Sequence, residues 1–193
     1  MNAARVAVCA FTVVVTAGCA DAVVVNTGES PPRTETTVLT SPAGRSDPNL
    51  VDASDYYVTT DGLKGYYFTI PSGKWNCAIL PRSKAGCQAA AGTQGMGIPG
   101  EPDTVQTADG EAVAPNAIAV GDEGDPGFIW VARPGFSVTS GKALVLDFTK
   151  TLAAAGFRCN VQEAGVSCLS EGTKKGFTFS ASGYSPQYTA VPG

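Results

Sequence analysis

Three segments of the chain alternate apolar and polar residues with a period of two, which restricts the fold more than any other feature of the sequence. The segments are residues 74–79, 157–162 and 176–180, and the first two carry Cys77 and Cys159 on their apolar faces. Strict alternation is typical of antiparallel strands that are buried on one side only. The pattern therefore predicts a mainly β fold with cysteines facing the core.

The rest of the region beyond residue 54 supports the same fold class. Residues 149–155 resemble a short helix ended by Gly156, a residue common at left-handed helix caps. Residues 91–111 are rich in Gly and Pro and predict a long surface loop. We expect a small antiparallel β-sandwich or barrel-like sheet with one short helix, stapled by two disulfides. Further strands are expected at residues 66–70, 117–120, 128–132 and 143–148.

Four cysteines lie in this β region and allow three pairings. If Glu163 and Ala164 form a turn, the cysteines on either side face one another across a hairpin. Residues 79–84 allow the other two cysteines to meet in a similar way. Directly opposed residues at non-hydrogen-bonded positions have Cα atoms about 4.5 Å apart, at the short end of the disulfide range. The expected disulfides are Cys77–Cys87 and Cys159–Cys168, each contributing about 3 kcal/mol.

Other roles for these cysteines fit the sequence less well. Structural zinc sites pair cysteines two to four residues apart, whereas here nine and eight residues separate the members of each pair. A redox centre of the thioredoxin type needs Cys-x-x-Cys, which the sequence lacks, and free buried thiols are the remaining alternative. The chain also has no histidine, which excludes Ser-His-Asp and Cys-His catalysis and histidine-bound zinc. We therefore expect no metal and no cofactor.

The N-terminal segment has the pattern of an export signal. Residues 1–5 carry one positive charge, and residues 6–15 are apolar except for Thr12. Ten residues are too few to cross a bilayer about 30 Å thick, which takes about 20 helical residues. A short basic start, a short apolar core and then small residues predict a secretory signal peptide over residues 1–18.

The residues after this apolar core resemble the lipobox of bacterial lipoproteins. Ala17, Gly18 and Cys19 match that motif, and Thr16 stands where Leu or Val is usual. The resemblance implies cleavage before Cys19, a diacylglycerol on its sulfur and often a further acyl chain on its amino group. Two or more acyl chains anchor a protein stably, at about 0.8 kcal/mol per buried methylene. The alternative is an ordinary signal with an incidental cysteine, like Cys9 within the signal itself.

Between Cys19 and residue 54 the sequence shows no sustained period of 2 or 3.6. Residues 28–49 consist mainly of Pro, Ser, Thr, Gly and scattered charges. Such a segment buries too little apolar surface to offset its ordering entropy. We therefore expect a lipidated N-terminus and flexible tether over residues 19–54, followed by the stapled β domain over residues 55–193.

The β domain resembles a family of actinobacterial secreted proteins that has no established activity. The resemblance spans about Tyr66–Tyr188, and it is carried by Phe68 with the Pro-Ser-Gly sequence of residues 71–73, by both cysteine pairs and by residues 176–184. Lys74 stands where that family often has Asn, and Lys175 where His is frequent. The resemblance implies export and two Cys-paired hairpins, and it implies no chemistry.

The charge balance and the motifs favour binding over catalysis. A formal charge of −4 argues against nucleic acid as a partner, because phosphate binding needs a surplus of Lys and Arg. Residues 140–143 lack the spacing of a phosphate-binding loop, and residues 122–125 lack that of a calcium loop. Trp75 and Trp130 have polar or small neighbours and are expected to face the core.

We expect a lipid-anchored protein on the extracytoplasmic face of the cell membrane. Its domain would be a non-enzymatic binding or interaction module, with an envelope protein or a cell-wall ligand as partner. A carrier of an apolar ligand is one alternative, and it would need an internal cavity of about 300 Å³ or more. A hydrolase with paired carboxylates is another, with candidates Asp103, Asp109, Glu111, Asp122 and Asp125.

Overall fold

Strands form most of the described chain, as the alternation predicts. The computed structural model describes residues 47–60, 62–90, 95–139, 141 and 143–192, all within a unit that spans Ala43–Gly193. These residues contain one 3-10 helical turn, Ala53–Tyr56, capped by the Asp52 side chain. The strands are β1 (Tyr57–Thr60), β2 (Leu63–Thr69), β3 (Trp75–Leu80), β4 (Lys84–Ala89), β5 (Val105–Gln106), β6 (Ala112–Val113), β7 (Ala117–Gly121), β8 (Gly127–Ile129), β9 (Leu144–Val145), β10 (Thr151–Ala154), β11 (Phe157–Gln162), β12 (Gly165–Ser170), β13 (Gly176–Ser180) and β14 (Gly183–Ser185).

The strands form two large sheets and one small hairpin. The first sheet has the order β1-β2-β3-β4-β7-β8, and β9 pairs in parallel with β2 beyond the end of β1. The second sheet is an antiparallel meander in the order β10-β11-β12-β13-β14. Strands β5 and β6 pair only with each other. Because neighbours in sequence are neighbours in the sheets, nearly all connections are short.

The two sheets pack face to face and enclose one apolar core. The centre of the first sheet (β3, β4 and β7) contacts the centre of the second (β11, β12 and β13). Both disulfides lie in this layer, with Phe68, Ile79 and Ile118 from one sheet and Phe177 and Phe179 from the other. The sandwich expected from the sequence is confirmed, and the sheets do not close into a barrel.

The outer face of the first sheet is apolar and is covered by a loop. Tyr67, Ala78 and Ala119 lie on this face, and Phe136 packs on them with 1% of its surface exposed. We name residues 131–138 the apolar cover. Gly86 lies directly under it, because a Cβ at that position would be 2.6 Å from the Phe136 ring.

The outer face of the second sheet is polar and is covered by residues 187–192, which we name the polar cover. Asn160 is fully buried there and donates from Nδ2 to the Tyr188 hydroxyl and to the Thr189 carbonyl, both at 2.9 Å. Buried Ser167 hydrogen-bonds Thr178, whose hydroxyl donates to the Gln187 carbonyl. Buried polar groups are stable when they are paired in this way.

Two local expectations are wrong. Residues 151–154 form strand β10 rather than part of a helix, and Ala155 and Gly156 form the turn into β11 with φ values of 49° and 82°. Two successive positive φ angles are the signature of a tight hairpin turn. Trp130 is 43% exposed instead of facing the core, since β8 ends before it.

The limits of other segments also differ from the expectation. The strand expected at residues 128–132 is Gly127–Ile129, and the one expected at 143–148 is reduced to Leu144–Val145. The described part of the loop at 91–111 is not wholly on the surface, because Met96 and Ile98 are buried in the core. The Glu101 carboxylate accepts hydrogen bonds from the backbone N–H groups of residues 96–98, which folds this segment inward.

Candidate functional site

The two disulfides form as the alternation predicts. Cys77 is paired in register with Cys87, and Cys159 with Cys168, with Cα–Cα distances of 4.0 and 4.1 Å. All four side chains are completely buried in the core between the sheets. The turn at residues 163–164 lies where the sequence places it, since Gln162 pairs with Gly165. These cysteines are therefore structural in this fold, and Cys9 and Cys19 lie outside the described residues.

The five candidate carboxylates are exposed and lie on three connecting segments. Asp103 precedes β5, Asp109 and Glu111 lie between β5 and β6, and Asp122 and Asp125 lie between β7 and β8. Over the described residues, no group of three or more Cys, Asp or Glu side chains is arranged to hold a metal ion. Of these five residues, Asp125 lines one of the clefts described below.

Two clefts flank the turn between β2 and β3. Residues 71–74 of this turn are exposed, and Gly73 adopts a φ of 68° that suits glycine. A cleft of about 300 Å³ on one side is lined by Thr69, Asn76 and Val145 among others. On the other side, a cleft of about 480 Å³ is lined by Trp75, Met96 and small residues. Both clefts are open to solvent, so neither is the enclosed apolar cavity that a carrier would need.

A third cleft, of about 530 Å³, collects charged and aromatic side chains from three separate segments. Asp125 and Pro126 come from the loop before β8, Lys174 and Lys175 from the turn between β12 and β13, and Tyr188 from the polar cover. We name it the lysine cleft. Nothing in the local sequence indicates that Tyr188 lies beside Lys174 and Lys175. Its lining residues are Asp125, Pro126, Leu169, Lys174, Lys175, Gly176, Pro186, Gln187 and Tyr188.

One wall of the lysine cleft contains an exposed ion pair and a hydrogen bond. The Lys175 ammonium lies 2.8 Å from the Asp125 carboxylate, which links the β12–β13 turn to the loop before β8. The Tyr184 hydroxyl donates to the Pro126 carbonyl at 2.8 Å. Burial raises the pKa of Tyr184, and the negative charge of Asp125 raises it further. Tyr184 therefore remains a neutral hydrogen-bond donor at physiological pH.

Close packing fixes the opposite wall. A Cβ at Gly176 would lie 2.9 Å from Cβ of Tyr188, so strand β13 and the polar cover touch only because residue 176 is glycine. The Tyr188 hydroxyl is held by the buried Asn160 amide. The Tyr188 ring is thus a rigid side of the cleft, whereas Lys174 is exposed and has no carboxylate within ion-pair distance among the described residues.

The base of the same turn is held by a second ion pair. Arg158 donates from Nε and Nη2 to one oxygen of Glu171, at 2.9 and 2.7 Å. The hydrogen bond to Glu171 raises the pKa of Arg158, which therefore stays charged at every pH of interest. The Arg158 guanidinium therefore compensates the negative charge of Glu171, which lies in the same turn as Lys174 and Lys175.

Comparisons with protein-family models, with curated proteins and with solved structures each found no match to this chain. Within the described residues there is also no helix with the length and apolar character needed to traverse a bilayer.

Proposed function

We propose that this protein is a lipoprotein anchored through Cys19 to the extracytoplasmic face of the cell membrane, with its β-sandwich acting as a non-enzymatic binding module of the cell envelope. The anchor follows from the lipobox resemblance of residues 17–19. The similarity of the Pro-Ser-Gly turn and the cysteine pairs to actinobacterial secreted proteins agrees with this location.

The observation that carries the proposal is the position of the two disulfides. Both lie at 0% exposure in the centre of the core, one in each sheet. Disulfides persist in exported proteins and are rare where glutathione and thioredoxin keep thiols reduced. A core built around two disulfides therefore favours a domain that works outside the cytoplasm.

A binding role is supported by the surface of the same domain. The lysine cleft places cationic, anionic, amide and aromatic groups within one hollow of about 530 Å³. This volume falls within the range of about 300–1,000 Å³ that is typical of small-molecule sites. These groups can recognise a ligand through charge, hydrogen bonds and an aromatic surface.

Metabolic labelling with an alkyne fatty acid, in a bacterium that processes lipoproteins, tests the anchor. The wild-type chain should incorporate the label and fractionate with membranes. Cys19→Ala should lose the label, because the acylated sulfur is removed. Cys9→Ala is the matched control and should keep it, since this cysteine lies within the expected signal peptide.

Two results would overturn the anchor. One is label on Cys19→Ala at the wild-type level, and the other is no label on the wild-type chain. A thiol-alkylation assay on the same material tests export separately: all four core cysteines should be protected until the protein is reduced. Complete alkylation of the unreduced, denatured protein would contradict a location outside the cytoplasm.

A further inference from the structure

We propose that the lysine cleft binds an acidic saccharide, that is, a sugar ring carrying a carboxylate. This inference deepens the proposed binding function and depends on it only for the statement that the domain is a binding module. It is carried by the charge, the flat apolar surfaces and the amide that the structure brings together in this cleft.

The charge of the cleft favours an anion. Lys175 is neutralised by Asp125 at 2.8 Å, which leaves the Lys174 ammonium as the uncompensated charge among the lining residues. Lys174 has a φ of 61°, and its backbone N–H donates to the Ser170 carbonyl at 2.9 Å. A lysine held in this left-handed conformation has a fixed backbone position at the cleft rim. Its ammonium has three donors for a ligand carboxylate.

The rest of the lining suits a ring that is apolar on its faces and polar at its edges. Tyr188, Pro126 and Pro186 present flat apolar surfaces, on which the C–H face of a sugar can pack. The exposed Gln187 side chain provides both donors and an acceptor, as hydroxyl groups require. A simple anion such as phosphate would use Lys174 alone and leave these apolar surfaces in water.

The cleft is also preorganised. Tyr188 is fixed by Asn160 and by its contact with Gly176, and Pro126 is fixed by Tyr184. When the walls of a site are already ordered in the free protein, binding costs less conformational entropy. The side chains that a ligand has to order include the exposed Lys174 and Gln187.

The test is a titration of the full-length, ¹⁵N-labelled chain in zwitterionic detergent with D-glucuronate. Backbone amide shifts of Lys175, Gly176 and Gln187 report binding at the cleft. D-glucose is the neutral probe with the same ring, and inorganic phosphate is the anion without a ring. We expect shifts at these amides with glucuronate, at least about fivefold weaker binding of glucose, and binding of phosphate weaker than that of glucuronate.

Three variants test the role of charge. Lys174→Gln removes the free ammonium at nearly constant length, and it should weaken glucuronate binding about fivefold. Asp125→Asn removes the carboxylate that competes for Lys175, and it should tighten binding about two- to threefold. Lys64→Gln, at an exposed lysine of β2 in the other sheet, is the matched control and should bind as the wild type does.

Several outcomes would overturn the assignment. Equal binding by Lys174→Gln and Lys64→Gln would do so, and so would weaker binding by Asp125→Asn. Phosphate binding tighter than glucuronate would replace the saccharide with a simple oxyanion. None of these results bears on acylation of Cys19, and loss of the acyl label leaves the titration unaffected, so the two proposals fail separately.

Discussion

The two sheets share one chemistry on their inner faces and differ on their outer faces. Each sheet contributes a hairpin with a buried cross-strand disulfide to the common core, β3–β4 in one and β11–β12 in the other. On its outer face, the first sheet carries the apolar cover, which is centred on Phe136. The second sheet carries the polar cover on its outer face, and the buried Asn160 and Thr178 donate hydrogen bonds to residues 187–189 of this segment.

This difference shows that two ways of protecting a sheet coexist in one small domain. The apolar cover gains free energy from area removed from water, a nondirectional effect. The polar cover depends on individual hydrogen bonds, which add little net stability but are costly to leave unmade. The polar cover also carries Tyr188 into the lysine cleft, so the directional contacts position the candidate site.

The largest effect is expected at the centre of the apolar cover. Phe136→Ala should lower the free energy of unfolding by about 3–5 kcal/mol, because a fully buried aromatic side chain is replaced by a cavity. Phe148, which is 47% exposed, is the matched control. Phe148→Ala should cost less than about 1 kcal/mol in the same denaturant titration. A smaller loss for Phe136→Ala than for Phe148→Ala would show that the cover is not packed on the sheet.

The disulfides should give nearly equal effects, since they close loops with sequence separations of 10 and 9 residues. The double variants Cys77→Ala/Cys87→Ala and Cys159→Ala/Cys168→Ala should each lose about 3 kcal/mol in the free energy of unfolding. Guanidinium titrations of the two variants provide the measurement. A difference of more than about 2 kcal/mol between the two losses would show that loop closure does not determine them. The two covers would then contribute unequally to the free energy of unfolding.

The centre of the polar cover should be less sensitive than Phe136. Asn160→Ala removes two donated hydrogen bonds and leaves the Thr189 carbonyl without that donor, which should cost about 2 kcal/mol. Hydrogen exchange should increase first at residues 187–192, because the hydrogen bonds lost are those that hold this segment. Asn49→Ala, at a single bond of 3.5 Å to Pro192, serves as control and should change stability by less than about 0.5 kcal/mol. Uniform exchange across both covers would mean that the polar cover does not open on its own.

The smallest expected change is a gain. The Tyr67 hydroxyl lies under the apolar cover, and within the described residues it has no hydrogen-bond partner. Tyr67→Phe should therefore raise the free energy of unfolding by about 1 kcal/mol. The control Tyr57→Phe, at a 44% exposed residue, should leave it unchanged. Destabilisation by Tyr67→Phe would reveal a hydrogen bond at this hydroxyl in solution.

Tyr67 also predicts a pH dependence. Burial raises the pKa of Tyr67 above its ordinary value of 10.0, so the unfolded chain releases this proton at lower pH than the folded protein does. Stability is therefore intact below pH about 10 and falls as pH rises toward the folded-state pKa. Tyr67→Phe should lose less stability than the wild type over this alkaline range, as measured by unfolding at a series of pH values.

The hairpins were predictable from the sequence because alternation fixes the face of each residue and a short turn fixes the register. The pairing of Cys159 with Cys168 follows from those two facts once residues 163–164 are taken as the turn, where the structure places it. The helix expected at residues 149–155 does not form. The run of alanines favours a helix locally, but pairing of β10 with β11 overrides that preference. Gly156 ends a tight turn in the hairpin, and the same residue type is equally common after a helix.

The lysine cleft and the covers were not predictable from local patterns. Asn160 and Ser167 alternate with core residues and look solvent-exposed, although residues 187–192 bury them. Lys175 and Asp125 meet only because the sandwich brings a turn of the second sheet to a loop of the first. Long-range contacts of this kind depend on topology, which a period of two does not specify.

The cross-links also limit how far the chain can stretch. If tension acts between the proposed membrane anchor and the proposed ligand, an unfolded chain lengthens by about 3.5 Å per residue. Each disulfide keeps its loop, of sequence separation 10 or 9, from extending beyond a Cα–Cα distance of about 4 Å. Together they shorten the fully stretched chain by roughly 60 Å. Single-molecule pulling should therefore give a contour length that increases by this amount when a reductant is added.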